Sequence, residues 1–151
     1  MTLPPELALS VEIRKGKQKL DRVRELLRTL PEPALVFYEG AHAKKEPVRS
    51  VIHYQAPASL EQYVREASLA TEQAVLLFDP ADLVIHHRRA MRVGSGDRRE
   101  LQLMESYAKT RECRAQFIRT RLFGETDVPR CGRCDRCREL QFVETHHPDH
   151  R

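Results

Sequence analysis

Three cysteines fall within seven residues, Cys131-Gly132-Arg133-Cys134-Asp135-Arg136-Cys137, and the fourth cysteine of the chain, Cys113, precedes them with seventeen residues between. No other feature of these 151 residues restricts the fold as strongly. Two-residue gaps let one tight turn aim several thiolates at a single point, and Gly132 eases the backbone there. A fourth donor must come from elsewhere to complete a tetrahedron, and Cys113 supplies it. Four thiolates with no open position describe one structural zinc ion rather than a catalytic one. An iron–sulfur cluster takes the same donors. A disulfide framework would need an oxidising compartment, for which the sequence gives no sign. A redox Cys-x-x-Cys pair normally opens a helix in a thioredoxin-like unit, and that context is missing. His146, His147 and His150 are weaker donors in a polar tail and are expected to lie outside the site.

Such a staple is needed. Hydrophobic residues make up 40% of the chain, charged ones 32%, and Trp is absent, so each half taken alone has a thin core. The charge is unevenly placed. Residues 51–84 carry Arg65 against five acids, whereas residues 85–151 carry fourteen Arg and one Lys against ten acids. A basic C-terminal half suits phosphate or carboxylate partners, although a solvated Arg-rich surface has the same composition. The start, Met1-Thr2-Leu3-Pro4-Pro5-Glu6-Leu7, lacks the charged residues and apolar run of a signal peptide. No apolar stretch approaches the roughly 20 residues of a membrane helix. The expected setting is cytoplasmic, with reduced thiols.

Along the chain, Ala8–Ile13 reads as a strand ended by Lys15-Gly16-Lys17. Lys15, Lys17 and Lys19 are expected on a flexible N-terminal segment. Leu20, Val23, Leu26, Leu27 and Leu30 follow at helical spacing, and Pro31 and Pro33 stop that helix. Ala34–Tyr38 is a continuous apolar run of the kind buried on both faces of a parallel sheet. Glu39–Arg49 is polar and reads as a loop; Ser50–Tyr54 is again strand-like. Ser59 with Gln62 three residues on is a capping box that opens a helix to about Ala70. Ala74–Phe78 is the next strand, and Asp79-Pro80 opens the next helix. Strands alternating with helices argue for an α/β fold with about four parallel strands. Arg92–Asp97 is the best boundary, with glycine, serine and charge clustered between two helical patterns. Beyond it, Arg98–Ala108 reads as a helix, and Thr110 caps another that runs to about Phe123 and ends at Gly124. Cys113 then lies in the first turn, where helix N–H groups favour a thiolate.

Phe78-Asp79-Pro80-Ala81-Asp82, Tyr107-Ala108, Cys113-Arg114, Leu122-Phe123-Gly124-Glu125 and the Cys131–Cys137 run together resemble the RecQ DNA helicases. Val51-Ile52-His53-Tyr54 and Ser59–Tyr63 resemble the strand and helix that lead to the last motor motif of that family, and Leu35–Tyr38 its strand opening the second motor lobe. The resemblance implies an α/β fold at 1–91, a small truncated RecA-like parallel sheet with helices. A linker at 92–97, an α-helical zinc-binding module at 98–140 and a polar tail at 141–151 follow. It also implies that zinc is held by Cys113, Cys131, Cys134 and Cys137.

The departures from the family pattern bear on activity. The last motor motif should carry a Gln-Glu start and two arginines that contact nucleotide phosphates. Here Arg65-Glu66-Ala67-Ser68-Leu69-Ala70-Thr71 keeps Glu66, places Leu69 where the first arginine is expected, and is shortened where the second would fall. Leucine cannot stabilise charge in phosphoryl transfer. The 151 residues contain no Gly-Lys-Ser/Thr phosphate loop and no Asp-Glu metal pair, and the stretch between Tyr38 and Val51 is short for a complete second lobe. The first lobe and the winged-helix domain that often follows the zinc module are expected to be missing. The expectation is therefore a non-catalytic, DNA-binding accessory protein of repair, recombination or replication. Alternatively it is an interaction module that docks on a helicase, a single-strand-binding protein or another repair component. Arg114, Arg119, Arg121, Arg130, Arg133, Arg136 and Arg138, with Arg111, surround the metal site as candidate phosphate contacts; some must instead pair with Glu112, Glu125, Asp135 and Glu139. Aromatic residues for base stacking are scarce.

Overall fold

A computed structural model describes residues 2–38, 46–93 and 96–146. Four strands, β1 (Ala8–Ile13), β2 (Ala34–Phe37), β3 (Val48–His53) and β4 (Ala70–Phe78), form one sheet in the order β1-β4-β3-β2, with every neighbouring pair parallel. Helix α1 (Gly16–Thr29) links β1 to β2, and α2 (Leu60–Ala67) links β3 to β4. Then come α3 (Asp82–Val93), α4 (Gly96–Lys109), α5 (Arg114–Arg121) and α6 (Asp135–His146). Residues 94–95 of the expected linker, 39–45 of the expected loop, and His147 and His150 lie outside the described residues. The last helix runs through the stretch expected to be tail as far as His146.

The two faces of the sheet can be read from alternate residues. Val75 and Leu77 of β4, with Ile52 of β3, meet Val23 and Leu26 of α1. Ala74, Leu76 and Phe78 join Val51 on the other face, against Leu60, Tyr63, Val64 and Ala67 of α2. This second cluster continues without a break into Leu101, Met104, Tyr107, Cys113, Phe117, Ile118, Cys134 and Cys137. The two parts read from the sequence thus share one core.

Several expectations are corrected. The apolar run at Ala34 forms β2 at the edge of the sheet, where only Phe37 is buried, not a strand covered on both faces. Strand β4 begins at Ala70, because Thr71, Glu72 and Gln73 extend it at its N-terminal end alongside β3. Helix α2 accordingly stops at Ala67; of the expected capping box only the Ser59 half forms, Ser59 Oγ accepting Gln62 N–H at 3.1 Å, while the Gln62 side chain turns to Glu66 at 3.4 Å. Lys19 is not on a flexible segment: it is buried on α1, where Nζ donates to Tyr54 O and to Asp82 Oδ2, each at 2.6 Å. Helix α3 starts at Asp82 rather than at Asp79-Pro80; Asp79 forms the turn ahead of it, accepting Ala81 N–H at 3.0 Å, while its other oxygen accepts Gly16 N–H at 2.9 Å at the start of α1. Lys19 and Asp79 therefore tie α1 to the loop that leads into the C-terminal helices.

Candidate metal centre

The ligands come from two short segments. Cys113 is the N-cap of α5, one residue outside the helix rather than within its first turn, because Thr110 folds its hydroxyl onto Glu112 N–H at 3.1 Å and delays the helix. The other three lie on the turn that opens α6. Gly132 sits there at φ +74°, in the left-handed region, with nothing within 4 Å of where a Cβ would be. Its need for glycine is one of backbone conformation, not space.

The four Sγ atoms lie within 4.8 Å of one another, and Cys131 Sγ is 4.0 Å from Cys137 Sγ. A tetrahedron of thiolates about 2.3 Å from a zinc ion has sulfur–sulfur edges of about 3.8 Å. Backbone N–H groups point at the sulfurs: Cys131 N–H at Cys113 (3.2 Å), Arg114 N–H at Cys134 (3.4 Å), and Arg133 and Cys134 N–H at Cys131 (3.3 and 3.2 Å). Such donors stabilise thiolates. Without a cation the thiols would compete for protons. Hydrogen bonds from Cys131 and Cys134 hold Cys113 far below the ordinary thiol range, the first of those bonds raises Cys131, and burial raises Cys137. A divalent cation that takes all four as thiolates ends that competition. The donor set and its geometry fit one structural zinc.

Around the metal the arginines divide into three kinds. Arg114 is fully buried, with Nε 2.6 Å and Nη2 3.2 Å from the Asp135 carboxylate, Nη1 donating to Tyr107 O at 2.8 Å, and its guanidinium 5.4 Å from the Tyr107 ring centre. Burial works against its charge, but Asp135 together with Tyr107 and Tyr63 outweighs it, and its pKa is raised. It is enclosed by protein, so the expectation that it reaches a phosphate is corrected. Four others are engaged at the surface. Arg119 pairs with Glu125, Arg121 with Glu112 while covering the Phe117 ring, Arg136 with Glu139 and Thr110 O, and Arg133 with Glu6 and Pro5 O. The pairing of Glu112, Glu125, Asp135 and Glu139 with arginines follows the sequence reading. The third kind, Arg111, Arg130 and Arg138, is exposed and has no carboxylate partner among the described residues. Sequence reasoning missed the role of the N-terminal segment, which Arg133 and Asp135 both touch. The available signal was charge in the gaps between ligands, where a tight turn fixes side-chain direction.

A third feature is a file of rings from the sheet to the metal module. Phe37 stacks on His53 (5.0 Å), and Tyr63, Tyr107 and Phe117 follow at 4.9, 5.2 and 5.8 Å. His53 Nε2 is 2.9 Å from Glu66 Oε1, and Nδ1 has no hydrogen-bond partner among the described residues. Burial lowers the His53 pKa, against the pull of Glu66. Leu69, at the position of the expected motor arginine, is half-buried and packs against the main core.

Four cysteines at the starts of α5 and α6, in a core shared with a small parallel sheet, define a structural zinc-binding module. Residues 81–138 match the RecQ zinc-binding family and form such a domain. Over most of its length the chain is related to RecQ helicases. It is 30% identical to the ATP-dependent DNA helicase RecQ of Bacillus subtilis over 146 residues, which are 88% of this chain and 23% of that protein. It is 30% identical to the Pasteurella multocida protein of the same name over 108 residues, 65% of this chain and 17% of that one. The chain thus spans about a quarter or less of the length of the curated relatives it matches. Among the described residues, no helix is long and apolar enough to cross a membrane.

Proposed function

We propose that this chain is a non-catalytic, zinc-stapled nucleic-acid-binding accessory protein, cytoplasmic, that acts on DNA in repair, recombination or replication. The observation that carries this reading is the set of exposed arginines next to the ligands. Arg130 and Arg138 adjoin Cys131 and Cys137, and Arg111 lies two residues before Cys113, with no carboxylate among the described residues to neutralise them. Held near a metal-braced turn, they lose little freedom on meeting a phosphate, and guanidinium is the cation suited to bidentate phosphate contact. Arg119, Arg121, Arg133 and Arg136 would contribute only by exchanging their present partners. Binding of this type is independent of sequence and falls steeply with salt. The relatives are ATP-dependent DNA helicases by name, which supports DNA as the nucleic acid. Leu69, packed on the core, supports the absence of phosphoryl transfer, since an apolar side chain offers no charge to a nucleotide.

Arg130→Glu with Arg138→Glu tests the reading by fluorescence anisotropy on mixed-sequence DNA. The expected result is more than about tenfold weaker binding at moderate salt, unchanged zinc content, and a logarithmic salt slope reduced by roughly one unit per lost contact. An unchanged slope in a folded, zinc-loaded variant would contradict it. ATP turnover that followed the protein through purification would contradict the non-catalytic part.

A second reading is favoured by how the surface already behaves. Arg119, Arg121 and Arg136 each hold a carboxylate of this chain, so an acidic peptide of a helicase or single-strand-binding protein would meet the same chemistry. A tight complex with an acidic-tailed protein and no DNA binding would select it.

A further inference from the structure

We propose that the metal knuckle is a clasp for the N-terminal strand, so that metal binding and the seating of residues 5–11 on the sheet edge are one coupled event. Both two-residue gaps between the clustered ligands place a side chain on that segment. From the first gap, Arg133 Nη1 donates to Pro5 O at 2.9 Å and Nη2 lies 3.4 Å from Glu6 Oε2. From the second, Asp135 Oδ2 accepts Val11 N–H at 3.1 Å. β1 is the terminal strand of the sheet, and a carboxylate is the stronger kind of acceptor for an outward-facing N–H.

The clasp is rigid because the ligand segments set it. The Asp135 carboxylate is gripped by buried Arg114 and accepts Arg136 N–H at 2.9 Å. Arg114 in turn follows ligand Cys113 and places its own N–H on ligand Cys134. When the metal leaves, the two cysteine segments keep only the Arg114–Asp135 and Arg136–Thr110 contacts and their shared packing, and the carboxylate is held less firmly against β1. The strand is then held by its pairing with β4 and by the Glu12–Arg22 ion pair, with no fixed partner on its outer edge among the described residues. β3, by contrast, lies between β4 and β2, with α1 and α2 side chains on its two faces, and receives no hydrogen bond from the ligand turn among the described residues. Metal loss therefore opens the first strand before the centre of the sheet.

The test is amide hydrogen exchange on the full chain, zinc-loaded and after metal removal with a chelator. Exchange at Ser10, Val11 and Glu12 is expected to accelerate by about a hundredfold or more, and at Val51 and Ile52 by less than about tenfold. Equal acceleration in both strands would mean that the metal holds the chain as a whole, and an unmoved β1 would mean that it holds the knuckle alone; either overturns the proposal. In zinc-loaded Asp135→Asn, full zinc with about tenfold faster exchange at Val11 is expected. Should buried Arg114 without its counterion keep that variant from folding, Arg133→Ala takes its place. There the expectation is full zinc with about three- to tenfold faster exchange at Val11, and an unchanged rate overturns the proposal.

Discussion

In β4 five consecutive residues, Ala74 to Phe78, are buried, with alternate side chains entering the cores on the two faces of the sheet. In α6, among the side chains described, only the ligand Cys137 is buried, and the helix presents Arg138, Glu139 and Leu140 to solvent. One region is ordered by removing apolar surface from water, and the other by drawing four thiolates to a point. Each is sensitive to what the other tolerates. Burial fails by degrees as methylenes are deleted. A four-ligand site fails as a whole when one ligand is lost.

The largest expected effect breaks the knuckle. Cys134→Ser should lose its zinc and leave residues 113–140 open to protease. Structural zinc carries on the order of 10 kcal/mol of apparent binding energy coupled to folding. Retained zinc with an intact protease pattern would abolish the contrast. Leu76→Ala probes the other region. Leu76 is fully buried at the centre of the sheet, and its truncation should cost about 2–5 kcal/mol by denaturant unfolding while zinc remains at one per chain. Zinc loss in that variant would show that the two regions are not separately sensitive.

Much of the sheet is legible in the sequence because its signals are local. The limits of β1, the helical spacing of Val23 and Leu26 and the Ser59 cap each depend on residues close in the chain. The order of the strands does not, so the continuous apolar run at Ala34–Tyr38, expected to be covered on both faces, proved to hold an edge strand. Thr71–Gln73 hid the start of β4 because half-exposed polar residues give no apolar signal even where the backbone pairs. The ligands were legible from spacing alone. The arginines were not, since Arg is almost never fully buried, and reading Arg114 as a surface cation follows that rule. What overrides it is Asp135, held by the ligand turn at 2.6 Å from Arg114 Nε.

A smaller effect sharpens the sheet side of the comparison. The pKa of His53 is depressed by burial, so the folded chain holds it neutral, whereas the unfolded chain takes up a proton near the ordinary value of 6.5. The stability from keeping it neutral is fully present above that value and is lost as pH falls towards the folded value. His53→Gln should therefore flatten the decline in stability as pH falls below about 6.5, by up to about 1.4 kcal/mol per pH unit. Both proteins should shed zinc alike on acidification, so the difference between their denaturant midpoints isolates the imidazole. Parallel pH profiles would show that His53 is protonated in the fold.

The zinc K-edge X-ray absorption spectrum of the purified protein, taken with its metal stoichiometry, tests the account most directly. One zinc per chain with four sulfur neighbours at about 2.3 Å is the expected result. A fully folded chain without zinc, or a first shell containing nitrogen or oxygen in place of any of Cys113, Cys131, Cys134 and Cys137, would contradict it.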